Sequence, residues 1–347
     1  MTRTLITGGA GFIGTNMARR LLDAGDEVVI LDDLSRPGVE ANLRALEAAH
    51  PRRLGAEVAG LGDAAALRRA VAGVERVFHF AAQVAVTTSL TDPVADFEVN
   101  LRGTLSLLEE LRRLPAPPPL LFTSTNKVYG GLGDVPLRRE GERYEPVDAA
   151  ARAHGIGEAR PLEFCSPYGC SKGGADQYVL DYAHSYRLPA VVFRMSCIYG
   201  PYQCGNEDQG WVAHFLLQVM RGEPLTLYGD GRQVRDILFV EDLIDAMLLA
   251  IVDERSLRGT AYNMGGGPGQ TVSLLELLDL IGELEGRPAS VDHGPWRVGD
   301  QRWYVSDIRR FAAATGWRPK VPVAQGVRRL HRWFSEHDSA LAMGRAS

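Results

Sequence analysis

Short β-branched runs alternate with longer amphipathic stretches through the first half of the chain, the pattern of βαβ units built on a buried parallel sheet. The runs predict strands at Thr4–Thr7, Glu27–Leu31, Val77–Phe80 and Leu120–Thr123, and the stretches predict helices near Gly11–Ala24, Asp63–Val71 and Val94–Leu114. A further helix should start near Tyr168. The run Pro115-Ala116-Pro117-Pro118-Pro119 ends the third helix, because proline has no amide proton to donate and clashes with the preceding turn. From Gly130 to Cys165 the sequence is polar, punctuated by glycine and proline, and without clear periodicity. Loops this long in compact domains usually carry function, so this one is expected beside a site. Beyond Val191 the order is mixed, with helices expected near Asp208–Arg221, Val240–Ile251, Thr271–Glu285 and Asp307–Thr315. That predicts a main α/β domain over residues 1–190, to which 236–262 return, and a smaller lobe over 191–340.

Composition narrows the setting. The 347 residues carry 38 Lys+Arg against 43 Asp+Glu, a formal charge of −5, with no block of like charge suited to nucleic acid. No run reaches membrane-spanning length, and the start, Met1-Thr2-Arg3 followed by Thr4–Gly14, lacks the features of a signal peptide. Cys165, Cys170, Cys197 and Cys204 are spaced unlike a zinc ligand set, so no metal is expected; they are also few for a disulfide framework. A reduced, cytoplasmic protein without nucleic-acid or membrane partners is the expectation.

Thr7-Gly8-Gly9-Ala10-Gly11-Phe12-Ile13-Gly14 follows a predicted strand and opens a helix, with glycines spaced GxxGxxG. Side chains at Gly8 and Gly11 would block the tight turn and the approach of a pyrophosphate to backbone amides; the absence of one at Gly14 lets the helix pack on the sheet. The helix N-terminus, at Phe12 and Ile13, adds partial positive charge. Asp32 ends the second strand about 20 residues on, where a carboxylate accepts both ribose hydroxyls and repels a 2′-phosphate. The loop therefore reads as a dinucleotide site that prefers NAD to NADP, although Arg36 is placed where it could neutralise a 2′-phosphate.

Ser166-Pro167-Tyr168-Gly169-Cys170-Ser171-Lys172 contains YxxxK, which on a helix puts phenol and ammonium on one face. Tyrosine ionises near pH 10, so half-ionisation at neutral pH needs about 3 units, or roughly 4 kcal/mol. An ammonium at contact distance supplies about 1 kcal/mol in water and about 4 where the effective dielectric is near 20. Lys172 suffices only in a partly dry site, helped by a positive nicotinamide. His79, at a strand end, reads as a buried structural histidine.

Over about residues 3 to 335 the chain resembles the extended short-chain dehydrogenases/reductases, the NAD-dependent epimerase/dehydratase family, and within it the CDP-tyvelose (CDP-paratose) 2-epimerases. The residues that carry the resemblance are Thr7–Gly14, Val29-Ile30-Leu31-Asp32, His79-Phe80-Ala81-Ala82-Gln83, Asn100, Thr123-Ser124-Thr125-Asn126-Lys127-Val128-Tyr129-Gly130, Ser166–Lys172 and Asp208-Gln209-Gly210-Trp211. The insertion before Ser166, with Arg143-Tyr144 and Pro161-Leu162-Glu163-Phe164, also looks like that subgroup's. The resemblance implies a Rossmann-type doubly wound parallel sheet with a smaller mixed α/β C-terminal substrate-binding lobe. It implies that Tyr168 is the acid/base, that Lys172 binds the nicotinamide ribose and tunes it, and that Thr125 hydrogen-bonds the reacting oxygen. Ala81, Ala82, Gln83 and Asn100 join the cofactor set, and Asn126 and Lys127 the substrate set. Helices Val94–Leu114 and Tyr168–Tyr186 resemble those that pair in a homodimer.

The family's 4,6-dehydratases usually carry Asp-Glu after the threonine to expel a hydroxyl, where this chain has Asn126-Lys127. Oxidation and re-reduction need only Tyr168 and a retained cofactor. The resemblance thus implies an epimerase acting on a nucleotide sugar, CDP-linked by the subgroup; a 4-epimerase, a 4,6-dehydratase and a non-catalytic NAD-binding sensor are the alternatives. Arg235, in Tyr228-Gly229-Asp230-Gly231-Arg232-Gln233-Val234-Arg235, and Arg297, in Arg297-Val298-Gly299-Asp300, resemble the family's pyrophosphate clamps, for which planar guanidinium is suited. Gln209 and Trp211 are candidates to line the substrate pocket, though a tryptophan at a helix start serves packing equally well. Two departures stand out: Gly60 occupies the place of an aspartate that accepts from adenine, and Ser196-Cys197-Ile198 replaces the asparagine-containing approach to Tyr199-Gly200-Pro201.

Overall fold

The computed structural model describes residues 1–252, 257–297 and 299–337. Val298 of the arginine motif and residues 338–340 of the expected lobe lie outside the described residues. Two compact units share the chain. The first takes residues 1–128, 162–195 and 244–262; the second takes 129–161, 196–243 and the chain from Asn263 on. Segment 129–161, which the sequence reading grouped with 1–190, thus belongs to the second unit.

The main sheet has seven strands in the order Thr260–Met264, Ala190–Met195, Leu120–Thr125, Arg76–His79, Arg3–Thr7, Glu27–Asp32, Leu54–Val58. Arg3–Thr7 pairs in parallel with both Glu27–Asp32 and Arg76–His79, so the strand order reverses there. In open α/β sheets a ligand sits outside the carboxyl ends of the strands at that reversal. This is a Rossmann-type doubly wound sheet. Its inner strands are largely apolar on both faces, as burial between helix layers requires; Leu5, Val29, Leu31, Val77, Leu120, Phe122 and Val192 join Leu67, Leu107, Leu111 and Val179 from helices in one core.

The second unit contains a mixed sheet in which Val234–Phe239 pairs antiparallel with Thr271–Ser273 and parallel with Trp303–Tyr304 and Cys197–Tyr199. Leu225–Tyr228 pairs in parallel with Val291–Gly294. Leu216, Leu227, Phe239, Leu277, Ile281 and Leu330 are among the residues of a separate core.

Three differences from the sequence expectation have physical causes. Val94–Leu114 is not one helix: it is preceded by Val86–Thr91 and resolves into Pro93–Phe97, a π-helical turn Glu98–Arg102 and Gly103–Arg112. Asp92 caps Pro93–Phe97 by accepting from Ala95 N, and the wide turn inserts one residue of phase, a device common at functional sites. The supposed loop Gly130–Cys165 holds an antiparallel hairpin, Leu137–Glu140 with Arg143–Pro146, and a helix Ala149–His154. Only Tyr144 and Pro146 of the hairpin are buried, too few to show a period of two. Helices Val39–Ala49 and Val323–His337 and the edge strand Leu54–Val58 were not anticipated; that strand has no fully buried residue and therefore no apolar run.

Candidate active site

The two strands at the reversal end in Thr7 and His79, and these ends are tied together. Thr7 Oγ1 lies 2.6 Å from His79 Nδ1, His79 Nε2 lies 3.0 Å from Thr104 Oγ1, and Thr123 Oγ1 donates to the His79 carbonyl at 3.1 Å. Full burial, with Lys172 nearby, holds the imidazole down to about 3, so it stays neutral and acts as a structural brace.

Immediately after Thr7, Gly8 turns with φ +68°, and a Cβ there would meet the Ala81 backbone nitrogen at 2.6 Å. A Cβ on Gly14 would strike Gly8 O at 2.3 Å, so the third glycine admits the helix Phe12–Asp23 against the loop's own backbone rather than against the sheet. A Cβ on Gly11 would meet only Gly8 O, at 3.2 Å, leaving the rest of its surroundings open. That is a cradle that excludes side chains on the inside and leaves room outside for a pyrophosphate at a helix N-terminus. Asp32 accepts from Ala10 N and Leu34 N, each at 3.0 Å, which aims its carboxylate while burial, the larger influence, raises its pKa. The residues present fit a dinucleotide. Asp63 caps helix Ala64–Val71 through Ala65 N and Ala66 N, and nothing lies within 4 Å of a Cβ built on Gly60.

Asn100 sits on the π-helical turn and is spent inside the protein. Its Oδ1 accepts from Gln83 N at 2.9 Å, while Nδ2 faces Gln83 O at 3.0 Å and Asp96 Oδ1 and Ser171 Oγ at 3.1 Å. The Gln83 amide in turn closes on the Ala85 backbone. Asn100 and Gln83 therefore shape the turn Ala81–Gln83 with side chains already engaged.

Helix Pro167–Ser185 starts at Ser166, whose hydroxyl accepts from Gly169 N at 3.0 Å, while Tyr168 N donates to Ser89 Oγ at 3.1 Å. Its buried face carries Tyr168, Ser171, Lys172 and Asp176 among glycines and alanines. A Cβ on Gly173 would overlap the Phe164 ring at 2.3 Å, so the small residues are what permit close packing. Thr125, at the end of its strand, hydrogen-bonds the Tyr168 phenol and also accepts from Lys127 N at 3.2 Å. Asn126 and Lys127 lie on the 3-10 turn Asn126–Tyr129, Asn126 buried and Lys127 half-buried.

Tyr168 and Lys172 are 8% and 3% exposed, which makes this site drier than the sequence argument required. Burial pushes the phenol up to about 12, the Thr125 hydrogen bond lowering and the Asp96 charge raising it. Burial also brings the Lys172 amine down to about 7, against the upward pull of Asp176 and Asp96, with Nζ 4.2 Å above the Phe122 ring. Ionising Tyr168 near neutrality in the bare protein would cost about 7 kcal/mol rather than about 4. Asp176 is itself paired with Arg194, with both contacts at 2.9 Å.

Asp96 and Ser171 are the members that sequence reasoning did not assign. The signal was present: Asp96 lies four residues before Asn100, the spacing at which helical side chains meet.

In the second unit Arg235 is buried, with Nη2 on Asp300 Oδ1 at 2.6 Å and Nη1 on the Val234 carbonyl. Arg297 donates to the Glu207 carbonyl at 2.7 Å, lies 3.3 Å from Asp208 Oδ1 and stacks over Tyr228 at 3.8 Å. Both guanidinium groups are engaged by carboxylates. Trp211 donates its indole N–H to Cys197 Sγ at 3.3 Å and packs edge-on against Phe215, the packing role. Gln209 donates its backbone N–H to Asn206 Oδ1 in the turn before helix Trp211–Arg221. Ser196, in the approach to Tyr199-Gly200-Pro201, donates to Asp236.

A model of the NAD dependent epimerase/dehydratase family matches residues 4–265. The chain is 39% identical over 339 residues to the CDP-paratose 2-epimerase of Salmonella typhi, covering 96% of this chain and 99% of that one. Among solved structures, the UDP-glucose 4-epimerase of Thermus thermophilus in complex with NAD is 34% identical, with TM-score 0.80 and coverage of 97% and 100%. A dTDP-glucose 4,6-dehydratase from Streptomyces venezuelae with NAD and TYD bound is 31% identical, with TM-score 0.83 and coverage of 97% and 98%.

Proposed function

Because the chain belongs to the NAD-dependent epimerase/dehydratase family, we propose that it inverts a nucleotide-linked sugar at C2, as a CDP-sugar 2-epimerase of the paratose/tyvelose type. That it is an NAD-dependent enzyme follows from the family; the carbon, the base and the sugar are the proposal. The observation that carries it is the turn after Thr125, where Asn126-Lys127 stand and no carboxyl pair is available to expel a hydroxyl. The likeness to a CDP-paratose 2-epimerase supports the choice of C2.

In this reading Tyr168 takes the proton of the sugar hydroxyl and later returns it, while Thr125, already bonded to the phenol, donates to the reacting oxygen. NAD, when bound, would supply the hydride acceptor for oxidation at carbon and the hydride donor for the return. Between the two transfers the keto-sugar presents its other face, so configuration inverts and no external reductant is consumed. Gly8, Gly11, Phe12, Ile13, Gly14, Asp32 and the turn Ala81-Ala82-Gln83 shaped by Asn100 hold the dinucleotide, with Lys172 on the nicotinamide ribose. Arg235 and Arg297 exchange their carboxylates for the substrate diphosphate, with Asn126, Lys127, Gln209 and Trp211 in support. The unit of residues 1–128, 162–195 and 244–262 serves the cofactor, and the second unit the nucleotide sugar.

The enzyme is read as a cytoplasmic homodimer. Val94, Phe97, Val99, Tyr178 and Tyr186 are large apolar or aromatic side chains left exposed on the helices expected to pair. No helix among the described residues is long and apolar enough to cross a membrane.

The test is incubation with CDP-sugars, followed by NMR at the C2 stereocentre and by borodeuteride trapping of the keto carbon. Inversion at C2 with label at that carbon is expected. Label at C4 would make it a 4-epimerase, loss of water a dehydratase, and no conversion across bases and sugars would overturn the reading.

A further inference from the structure

Asp96 is fully buried on the short helix Pro93–Phe97, yet its carboxylate is completely satisfied. Ser171 Oγ donates to Oδ2, and Asn100 Nδ2 donates to Oδ1 at 3.1 Å. One donor on each oxygen suits an acceptor-only carboxylate; burial, the largest influence, raises its pKa, while the Ser171 hydrogen bond and the Lys172 charge pull it down. Ser171 also receives Asn100 Nδ2 at 3.1 Å and lies 3.2 Å from the Tyr168 carbonyl. Asn100 continues the chain to both backbone groups of Gln83. One hydrogen-bonded line thus runs from the turn Ala81–Gln83 through Asn100 and Asp96 to the residue next to Lys172.

We infer that Asp96 is a positioning residue for the Tyr168 and Lys172 pair, bracketing Ser171 and Asn100 and supplying, beside Asp176, buried negative charge that balances the Lys172 ammonium. This rests on the reading of Tyr168 as the acid/base. The other charged or titratable groups around Lys172 are accounted for. Asp176 of the same helix is held by Arg194 from the strand Ala190–Met195, and His79 of the strand Arg76–His79 stays neutral. Glu98 and Arg102 pair with each other at the surface, and Glu109 is taken by Arg112 and Tyr182. Val86–Thr91 and Leu120–Thr125 carry no ionisable side chain. The negative charge of Asp96 raises both Tyr168 and Lys172.

The experiment uses the NAD-loaded enzyme and Asp96→Asn, in which Ser171 can reverse its hydroxyl to accept from the new amide. Removing an anion moves both neighbouring ionisations to lower pH. The phenolate absorbance titration of Tyr168, taken as a difference against Tyr168→Phe in each background, should drop by about one pH unit. Both limbs of the pH–rate profile should move the same way by a similar amount. Superimposable titrations with NAD content intact would overturn the inference. Asp96→Ser serves where the asparagine variant does not fold, with the same shift expected; failure of both to fold would make Asp96 a folding element and end the positioning role. Turnover surviving in Tyr168→Phe would sink the acid/base reading, while the difference titration would still decide the electrostatic link.

Discussion

Replacing Lys172 by methionine should make the NAD-free protein more stable while abolishing turnover. Burial brings the amine from 10.5 to about 7, so the unfolded chain holds that proton more tightly than the folded one. The cost is complete below the folded value and fades as pH rises from about 7 towards 10.5, so this lysine makes stability increase with pH. At about 1.4 kcal/mol per unit, the penalty is about 4 kcal/mol at pH 7 and about 2 at pH 9. Methionine fills similar volume without the charge, and its thioether suits the Phe122 ring below. The attraction of Asp176 and Asp96 is already contained in that net shift, so the gain at pH 7 is about 4 kcal/mol. With an unfolding entropy near 2 cal/mol/K per residue over the chain, that is about 6 °C in Tm. Thermal melts of both proteins at pH 7 and pH 9 test it. A variant no more stable than the parent at pH 7, or a gain that does not shrink at pH 9, would refute the claim that the ammonium is held at the expense of stability.

The remaining expectations are more direct. Tyr168→Phe should keep its NAD and lose turnover by a factor of about 100 or more, read from bound-nucleotide content beside steady-state rates. Gly14→Ala forces a methyl to within 2.3 Å of Gly8 O, so NAD retention should fall with a loss of at least about 2 kcal/mol in stability; equal NAD content and Tm would contradict the loop packing. Gly60→Asp enters open space, so calorimetry should show tighter NAD binding at unchanged Tm if the missing carboxylate weakens adenine recognition. Val94→Arg, at a side chain 69% exposed, should convert a dimer to monomer in sedimentation with the fold intact; unchanged mass would count against this face as the contact.

The parts that were legible from sequence are those where chemistry and periodicity coincide. A glycine loop between a strand and a helix, an acid closing the next strand and YxxxK announce themselves because few other residues satisfy those backbone and charge requirements. Helix Pro167–Ser185 was found through Tyr168 and Lys172, not through an apolar stripe, since its buried face carries a phenol, a hydroxyl, an ammonium and a carboxylate. The hairpin Leu137–Pro146 and the strand Leu54–Val58 escaped because neither buries an alternating apolar set. The π-helical turn escaped because one extra residue per turn leaves the composition unchanged and alters only which side chains face inward. That phase shift accompanies an Asn100 directed at Gln83 and Asp96, a consequence that no motif spacing reveals.

The same bookkeeping of charge runs through each proposed binding group. Asp300 holds Arg235, Asp208 and the Glu207 carbonyl hold Arg297, and Asp96 with Asp176 stands against Lys172. Burying an unpaired guanidinium or ammonium costs several kcal/mol, so cations proposed to meet a diphosphate are paired with anions in the free protein. Those anions differ in what binding does to them. Asp208 is exposed and can retire into water when phosphate arrives, whereas Asp96 has nowhere to go and acts throughout turnover. On the proposed reading the exchangeable carboxylates tune affinity for the nucleotide, while the fixed one adds to burial in raising Tyr168, against the Thr125 hydrogen bond. Substitutions at Asp208 should therefore alter KM, and substitutions at Asp96 the pH dependence of kcat.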